Sequence, residues 1–268
     1  MRILALLLAA IAPMVAAETK PLRVLLVTGG CCHDYATQRK LLEEGIKARA
    51  NVEIVHAFNP SKSTTARFEI YDKPDWFKGF DVVIHDECSA DVTDKDYVNR
   101  ILEAHRQGVP AVNLHCAMHS YRWGNFGKPV QPGADNAAWF EFLGLQTNSH
   151  GPQEPIEVIF TAPHPITAGL KPWTTGKEEL YNNVSIPGGT PIISGRQTVK
   201  GKTSELVMGW TNSYGPKKTR VFGFTLGHNN ETVGDPRYLD IVARAVLWSA
   251  DKLTDDGKPK PGYGPGGR

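Results

Sequence analysis

Four things are scarce or missing in this sequence, and each narrows what the chain can be. Beyond the N-terminus no stretch approaches the about 18 uninterrupted apolar residues of a bilayer-crossing helix, so a spanning body and stable membrane insertion are not expected. There is no lysine or arginine block, and 30 basic against 28 acidic residues leave a formal charge of +2, so nothing matches a phosphate backbone and no nucleic-acid partner is expected. No internal repeat is present, which excludes a repeat architecture. Only four cysteines occur, Cys31, Cys32, Cys88 and Cys116, too few for a disulfide scaffold at 268 residues, so the core must do the stabilising. An oxidising compartment permits a bridge; a bond between the adjacent Cys31 and Cys32 would close a strained ring, so pairing of either with Cys88 or Cys116 is the more plausible bridge, and the sequence leaves open whether any of the four is oxidised.

The N-terminus reads as a secretory signal over residues 1–17. Arg2 supplies the positive region, residues 3–11 the short apolar run, and Val15-Ala16-Ala17 a small-residue cleavage site, so a mature chain starting near Glu18 and a periplasmic or extracellular location are expected. With 41% hydrophobic residues, the remainder is long enough for one large core, and 18–254 is read as a single α/β domain. Residues 255–268, rich in glycine, proline and lysine and without apolar periodicity, read as a disordered tail.

Within the domain, residues 22–28 (LRVLLVT) form a run of β-formers between Pro21 and Gly29-Gly30, which suits a strand buried on both faces of a parallel sheet. From Tyr35, apolar residues recur at helical spacing behind a capping Asp34, and 52–55 resumes β character. Strand 81–85, amphipathic helix 94–107 and strand 109–114 follow, then a helix at 136–143, short β segments at 156–161, 191–194, 206–210 and 221–225, and a closing helix at 239–248. The alternation predicts a doubly wound, mainly parallel sheet flanked by helices.

In such a sheet, ligands bind outside the carboxyl ends of the strands. The loops expected there carry Gly29-Gly30-Cys31-Cys32-His33-Asp34, His85-Asp86-Glu87-Cys88, His115-Cys116-Ala117-Met118-His119 and Gly227-His228-Asn229-Asn230-Glu231. Five of the nine histidines fall in these four segments, whereas histidines serving only as surface residues would spread over both ends of the sheet. His56, His105 and His164 read as ordinary structural residues.

A strand running into a tight turn and a helix, as at Pro110-Ala111-Val112-Asn113-Leu114-His115-Cys116-Ala117-Met118-His119, resembles the nucleophile elbow of the class I glutamine amidotransferase-like fold. Aligned on Pro110 and Met118, the nucleophile position falls on His115 and not on Cys116, so glutaminase activity is not expected. A Cys116-His228-Glu231 triad remains the alternative and needs Cys116 at the turn tip. More of the chain is similar to the ThuA-like (trehalose utilisation) family of the same superfold. The matching pieces are Val27-Thr28-Gly29-Gly30 with His33-Asp34-Tyr35, Glu87, Leu114-His115-Cys116 with His119 and Arg122, Trp139 with Leu143-Gly144, His164-Pro165-Ile166, Glu178-Glu179-Leu180-Tyr181, and Leu226-Gly227-His228 with Leu247-Trp248. Members often carry Asp before the second glutamate and Ser or Cys at position 116, so this sequence departs mildly. The resemblance implies an amidotransferase-like or flavodoxin-like α/β fold, a role in sugar catabolism, and a functional link to sugar oxidoreductases that make 3-keto sugars. It implies His33, Glu87, His115, His119, Arg122, Glu179, Tyr181 and His228 as site positions.

Clustered imidazoles and carboxylates support two chemistries. One is metal-assisted, with three protein ligands to a divalent ion such as zinc and an open position. The other is metal-free proton transfer beside a sugar carbonyl, with His115, His228, His33 or Glu87 as the acid-base groups and His119, Arg122, Glu179 and Tyr181 holding a small carbohydrate. With the substrate class that the resemblance implies, either would make the protein a lyase, isomerase or hydrolase on oxidised sugars. Trp123 and Trp173 are further candidates to stack on a pyranose, and Trp139 and Trp248 read as core. The contrasting reading is a non-catalytic saccharide- or protein-binding module on a degenerate fold. A binder needs aromatic and amide groups, a catalyst titrating groups in one pocket, and the histidine density favours the catalyst.

Overall fold

A computed structural model describes residues 19–267, so the expected signal segment and its cleavage position lie outside the described residues. The chain runs β1 (Leu22–Gly30), α1 (Tyr35–Lys47), β2 (Val52–Asn59), β3 (Val82–Cys88), α2 (Lys95–Arg106), β4 (Ala111–Leu114), α3 (Ala138–Leu143), β5 (Gln146–Phe160), β6 (Trp173–Ser185), β7 (Thr190–Val199), β8 (Lys202–Tyr214), β9 (Thr219–Phe224), α4 (Asn230–Val233) and α5 (Pro236–Ser249). These strands form one nine-stranded sheet in the order β2-β1-β3-β4-β9-β8-β7-β5-β6.

The sheet is mixed, which corrects the expectation of a mainly parallel, doubly wound one. β2, β1, β3, β4 and β9 pair in parallel, while β9-β8, β8-β7, β7-β5 and β5-β6 are antiparallel. In the parallel part, alternate residues of β1 feed two cores, as the period of two in a strand requires. Leu22, Val24 and Leu26 pack with Leu42 and Ile46 of α1 and Val242 and Val246 of α5, whereas Leu25 and Val27 pack with Val98, Ile101 and Leu102 of α2 and Trp139 of α3. Asp34 caps α1 by accepting from the Thr37 N–H at 3.3 Å, and Asp94 caps α2 likewise.

Three expectations are revised. β6, which carries Glu178, Glu179 and Tyr181, was absent from the strand pattern, because TTGKEELYNN is too polar to read as β until its partner β5 is known. The tail is ordered along 255–267. The Thr254 N–H donates to Lys258 O at 2.8 Å, the Asn51 N–H to Tyr263 O at 2.9 Å, and Tyr263 packs on the α1/α5 core, so local contacts hold a segment whose composition suggested none. The cysteines pair as Cys31–Cys32 and Cys88–Cys116. Adjacency is accommodated at Cys32 by a left-handed backbone, φ 84°. Cys88 ends β3 and Cys116 follows the neighbouring β4, which sets their Cα atoms 5.0 Å apart, within bridging range.

Gly29 and Gly30 let β1 deliver the first loop into the site. Their φ values are 134° and 93°, and a Cβ would stand 2.0 Å from Asn59 O at Gly29 and 2.2 Å from Cys88 O at Gly30. Only glycine permits that approach between β2 and β3.

Candidate functional site: a histidine cluster at the strand ends

The turn after β4 has the strained geometry of an elbow, and His115 is its tip, with φ 41°. The imidazole is held by its Nδ1 contact with Thr225 O at 2.6 Å. A carbonyl can only accept, so Nδ1 carries the hydrogen and the Nε2 lone pair faces the site. There the Tyr181 hydroxyl lies 3.3 Å from Nε2 and Glu179 Oε2 3.6 Å. His33, from the loop after β1, meets both His115 and His228 edge to face, with ring centroids 4.7 Å apart in each case. One nitrogen of each of the three rings falls within 4.8 Å of the others.

β6 and the loop after β9 complete the cluster. Glu178, fully buried, accepts the backbone N–H of His228 and of Asn229, each at 3.0 Å, and so pins the loop that carries His228. The neighbouring Glu179 points to the imidazoles, its Oε2 lying 3.2 Å from His228 Nδ1 without good hydrogen-bond alignment. Gln153 of β5 places its side-chain amide 2.8 Å from His228 Nε2. His150 approaches Glu179 Oε1 at 3.5 Å. His119 stacks on Tyr181 at 4.2 Å and 6°. Arg122, which donates to Asn148 O at 3.3 Å, keeps a buried Nε without a partner, as does His119 at Nε2.

Burial separates the protonation states. The His33 pKa is pushed down to about 2 by desolvation, then by His115 and His228. Desolvation also takes His115 down to about 4, although its Thr225 contact and Glu179 oppose this. His119 lies well below its ordinary value through burial and Arg122. His228 is shifted the other way, raised by its Glu179 contact against a desolvation cost. Burial raises Glu179, but His228, His115 and His150 together outweigh it and leave the carboxyl below its ordinary value. At neutral pH the site therefore holds neutral His33 and His115 beside an ionised Glu179 paired with the most basic imidazole. Arg122 is lowered by burial to about 10 and stays cationic.

Of the residues expected at the site, His33, His115, His119, Glu179, Tyr181 and His228 come together, with Arg122 at the His119 side. Glu87 is set apart, because its strand position points it to the opposite core. There its Oε1 accepts from Tyr71 at 3.3 Å and Tyr121 at 3.1 Å and lies 2.9 Å from His85 Nδ1. Trp173 packs into the α1/α5 core and not at the site, and Trp139 is core as expected. Glu178, His150 and Gln153 were missed. The last two sit in a polar stretch of β5 with no pattern marking them, whereas Glu178 stood beside Glu179 and only the β6 register reveals that they face opposite ways. A cleft of about 590 Å³ opens at the His33 and His228 side of the cluster, lined also by Cys32, Gln153, Lys177 and Asn229.

These features define an α/β protein with a histidine-rich site at the C-terminal edge of a mixed sheet and an imidazole at the elbow tip. The trehalose utilisation (ThuA) family model matches residues 23–249, and the chain belongs to that family. Among solved structures it is similar to a ThuA-like protein from Parabacteroides merdae, at 17% identity and TM-score 0.65, covering 91% of this chain and 97% of that one. A ThuA-like protein from Bacteroides uniformis is similar at 15% identity and TM-score 0.58, covering 88% and 95%. A GH42 β-galactosidase from G. stearothermophilus, in its E323A form, shares the fold at 11% identity and TM-score 0.52, over 87% of this chain and 30% of that one. No curated protein matches.

Proposed function

We propose that this protein is an exported enzyme of sugar catabolism that acts on oxidised, 3-keto glycosides through the His33, His115, His228 and Glu179 cluster. The observation that carries the reading is the convergence of three imidazoles and one carboxylate beside a cleft that His33 and His228 line, two imidazoles neutral and the third raised toward protonation. A carbonyl at sugar carbon 3 acidifies the adjacent C–H, so elimination, isomerisation or glycoside cleavage comes within reach of such groups. His115 Nε2, aimed into the site by Thr225, takes the carbon-bound proton. His228, as imidazolium, donates to the developing oxyanion or the leaving oxygen. A base held at about 4 is weak, so cationic stabilisation of the enolate is the larger requirement.

The donor set fits a divalent ion such as zinc. Three ring nitrogens within 4.8 Å of one another, one ring oriented by a backbone carbonyl, are what an open catalytic site presents. This is the alternative to the proton-transfer roles of His115 and His228: these two and His33 would hold the ion, with Glu179 beside them, and bound there it would supply Lewis-acid stabilisation of the carbonyl oxygen. Lys177, Gln153 and Asn229 along the cleft offer polar groups to sugar hydroxyls. Two disulfides support an oxidising compartment, and among the described residues no helix is long and apolar enough to cross a membrane. An oxidoreductase would supply the keto sugar.

The test is to incubate the protein with a 3-keto glucoside and with its unoxidised parent. Loss of the keto sugar or release of its aglycone, with the parent intact, is the expected result. Equal turnover of both points to an ordinary hydrolase, and saturable binding without turnover to a binding module; either overturns the proposal.

A further inference from the structure

Four sulfurs gather between solvent and the imidazoles, those of Cys31, Cys32 and Cys88 lying within 4.8 Å of one another. Cys32 is exposed and lines the cleft, and Cys31, bonded to it, is buried. Cys31 Sγ lies 3.5 Å from Cys88 Sγ, and Cys88 is bonded to Cys116, the residue after His115. At the inner end, the sulfurs of Cys88 and Cys116 and a nitrogen of His33 fall within 4.8 Å of one another. Tyr35 and Phe58 pack around the buried sulfurs, so a dissolved reagent reaches the group at Cys32.

We propose that these cysteines are a thiol–disulfide exchange site, which takes low-molecular-weight thiols at Cys32 and delivers a free thiol at Cys116 inside the histidine cluster. A thiolate attacks Cys32 Sγ, forming a mixed disulfide and expelling Cys31 as thiolate. Cys31 attacks Cys88 across the 3.5 Å gap, forming Cys31–Cys88 and releasing Cys116, which takes up a proton. A second thiol attacks the mixed disulfide, leaving Cys32 as a thiol and departing as the small-molecule disulfide. In sum, two thiols are oxidised to one disulfide, their two hydrogens end on Cys32 and Cys116, and the protein keeps one bridge of its original two. Oxidation by a small-molecule disulfide reverses the sequence. The inference stands on the sulfur geometry and is independent of the sugar reading.

The experiment uses full-length exported protein purified under air, a brief exposure to reduced glutathione, trapping with iodoacetamide, and peptide mapping of bridges and labels. In the wild type the expected product has a Cys31–Cys88 bridge with labels on Cys32 and Cys116. In the double variant Cys31→Ser/Cys32→Ser no sulfur is left to reach Cys88, since Cys32 as well as Cys31 lies within 4.8 Å of it, and Cys116 labelling is lost at the same exposure. In Cys32→Ser, Cys31 is a thiol from the outset, so label divides between Cys31 and Cys116 with no glutathione added. General loosening of the fold would expose Cys116 in both variants and cannot give this opposite pair of results. The proposal is overturned by four free thiols in the purified wild type or by wild-type labels confined to Cys31 and Cys32. Cys116 labelling unaffected in the double variant, or label on Cys31 alone in Cys32→Ser, also overturns it.

Discussion

Glu179 places its Oε2 3.2 Å from Nδ1 of His228, and the contact makes this histidine the one imidazole of the cluster whose pKa is raised. The imidazolium therefore persists to higher pH than in an ordinary histidine, and a reaction that needs it fails as pH rises through the raised value. Glu179→Gln removes the cause, so the alkaline limb of the activity profile moves to lower pH. Titration of the His228 ring by NMR reads the same shift; an unmoved titration would mean that the pair is not coupled.

The metal-free protein should lose stability on mild acidification because of His33 and His115. Both have folded pKa values, about 2 and about 4, below the ordinary 6.5, so below 6.5 the unfolded chain binds protons that the folded chain refuses. Stability then falls as pH drops toward the folded values, by roughly 1.4 kcal/mol per pH unit for each histidine as an upper figure. Melting curves from pH 7 to pH 5 should show this decline, with a shallower slope in His33→Ala. An equal slope in that variant would contradict the assignment.

Glu178 positions the His228 loop and reacts with nothing. Glu178→Ala orphans the N–H groups of His228 and Asn229, which costs about 1–3 kcal/mol for a buried donor left unpaired. A lowered melting temperature together with weakened turnover is expected. Wild-type stability would show that the loop is held by other contacts.

If the three imidazoles are a ligand set, zinc titrated into the metal-free protein binds at one equivalent, and His33→Ala loses most of that affinity. Calorimetry and metal content after dialysis report it without any substrate. Binding that survives His33→Ala would place the ion elsewhere.

The parallel half of the sheet was legible because its strands and helices carry their own periodicity: residues 22–28 and the α1 stripe behind Asp34 need no partner to be recognised. The antiparallel half was not, since β6 and the outer part of β5 are polar strands whose faces are fixed by pairing with each other. The site shows the same division. His33, His115, His119 and His228 follow strand ends and could be placed from the sequence. Glu87 lies within β3, past the end expected for that strand, and an alternation of two sends it to the other face with His85. His150, Gln153 and Glu178 depend on the β5–β6 register. The Cys31–Cys32 bond was not legible, because adjacency in sequence argues against a bond that the left-handed turn at Cys32 accommodates.

The central claim is that the imidazole at the elbow tip performs the chemistry, and turnover of a 3-keto glucoside by His115→Ala beside the wild type tests it most directly. His115 is fixed by Thr225 O at 2.6 Å and faces Tyr181 and Glu179, so its loss should abolish turnover while the melting temperature shows the protein still folded. Cys116→Ser, one residue on, should retain activity once allowance is made for the lost bridge. Full activity in His115→Ala with none in Cys116→Ser would contradict the account and put a cysteine nucleophile in its place.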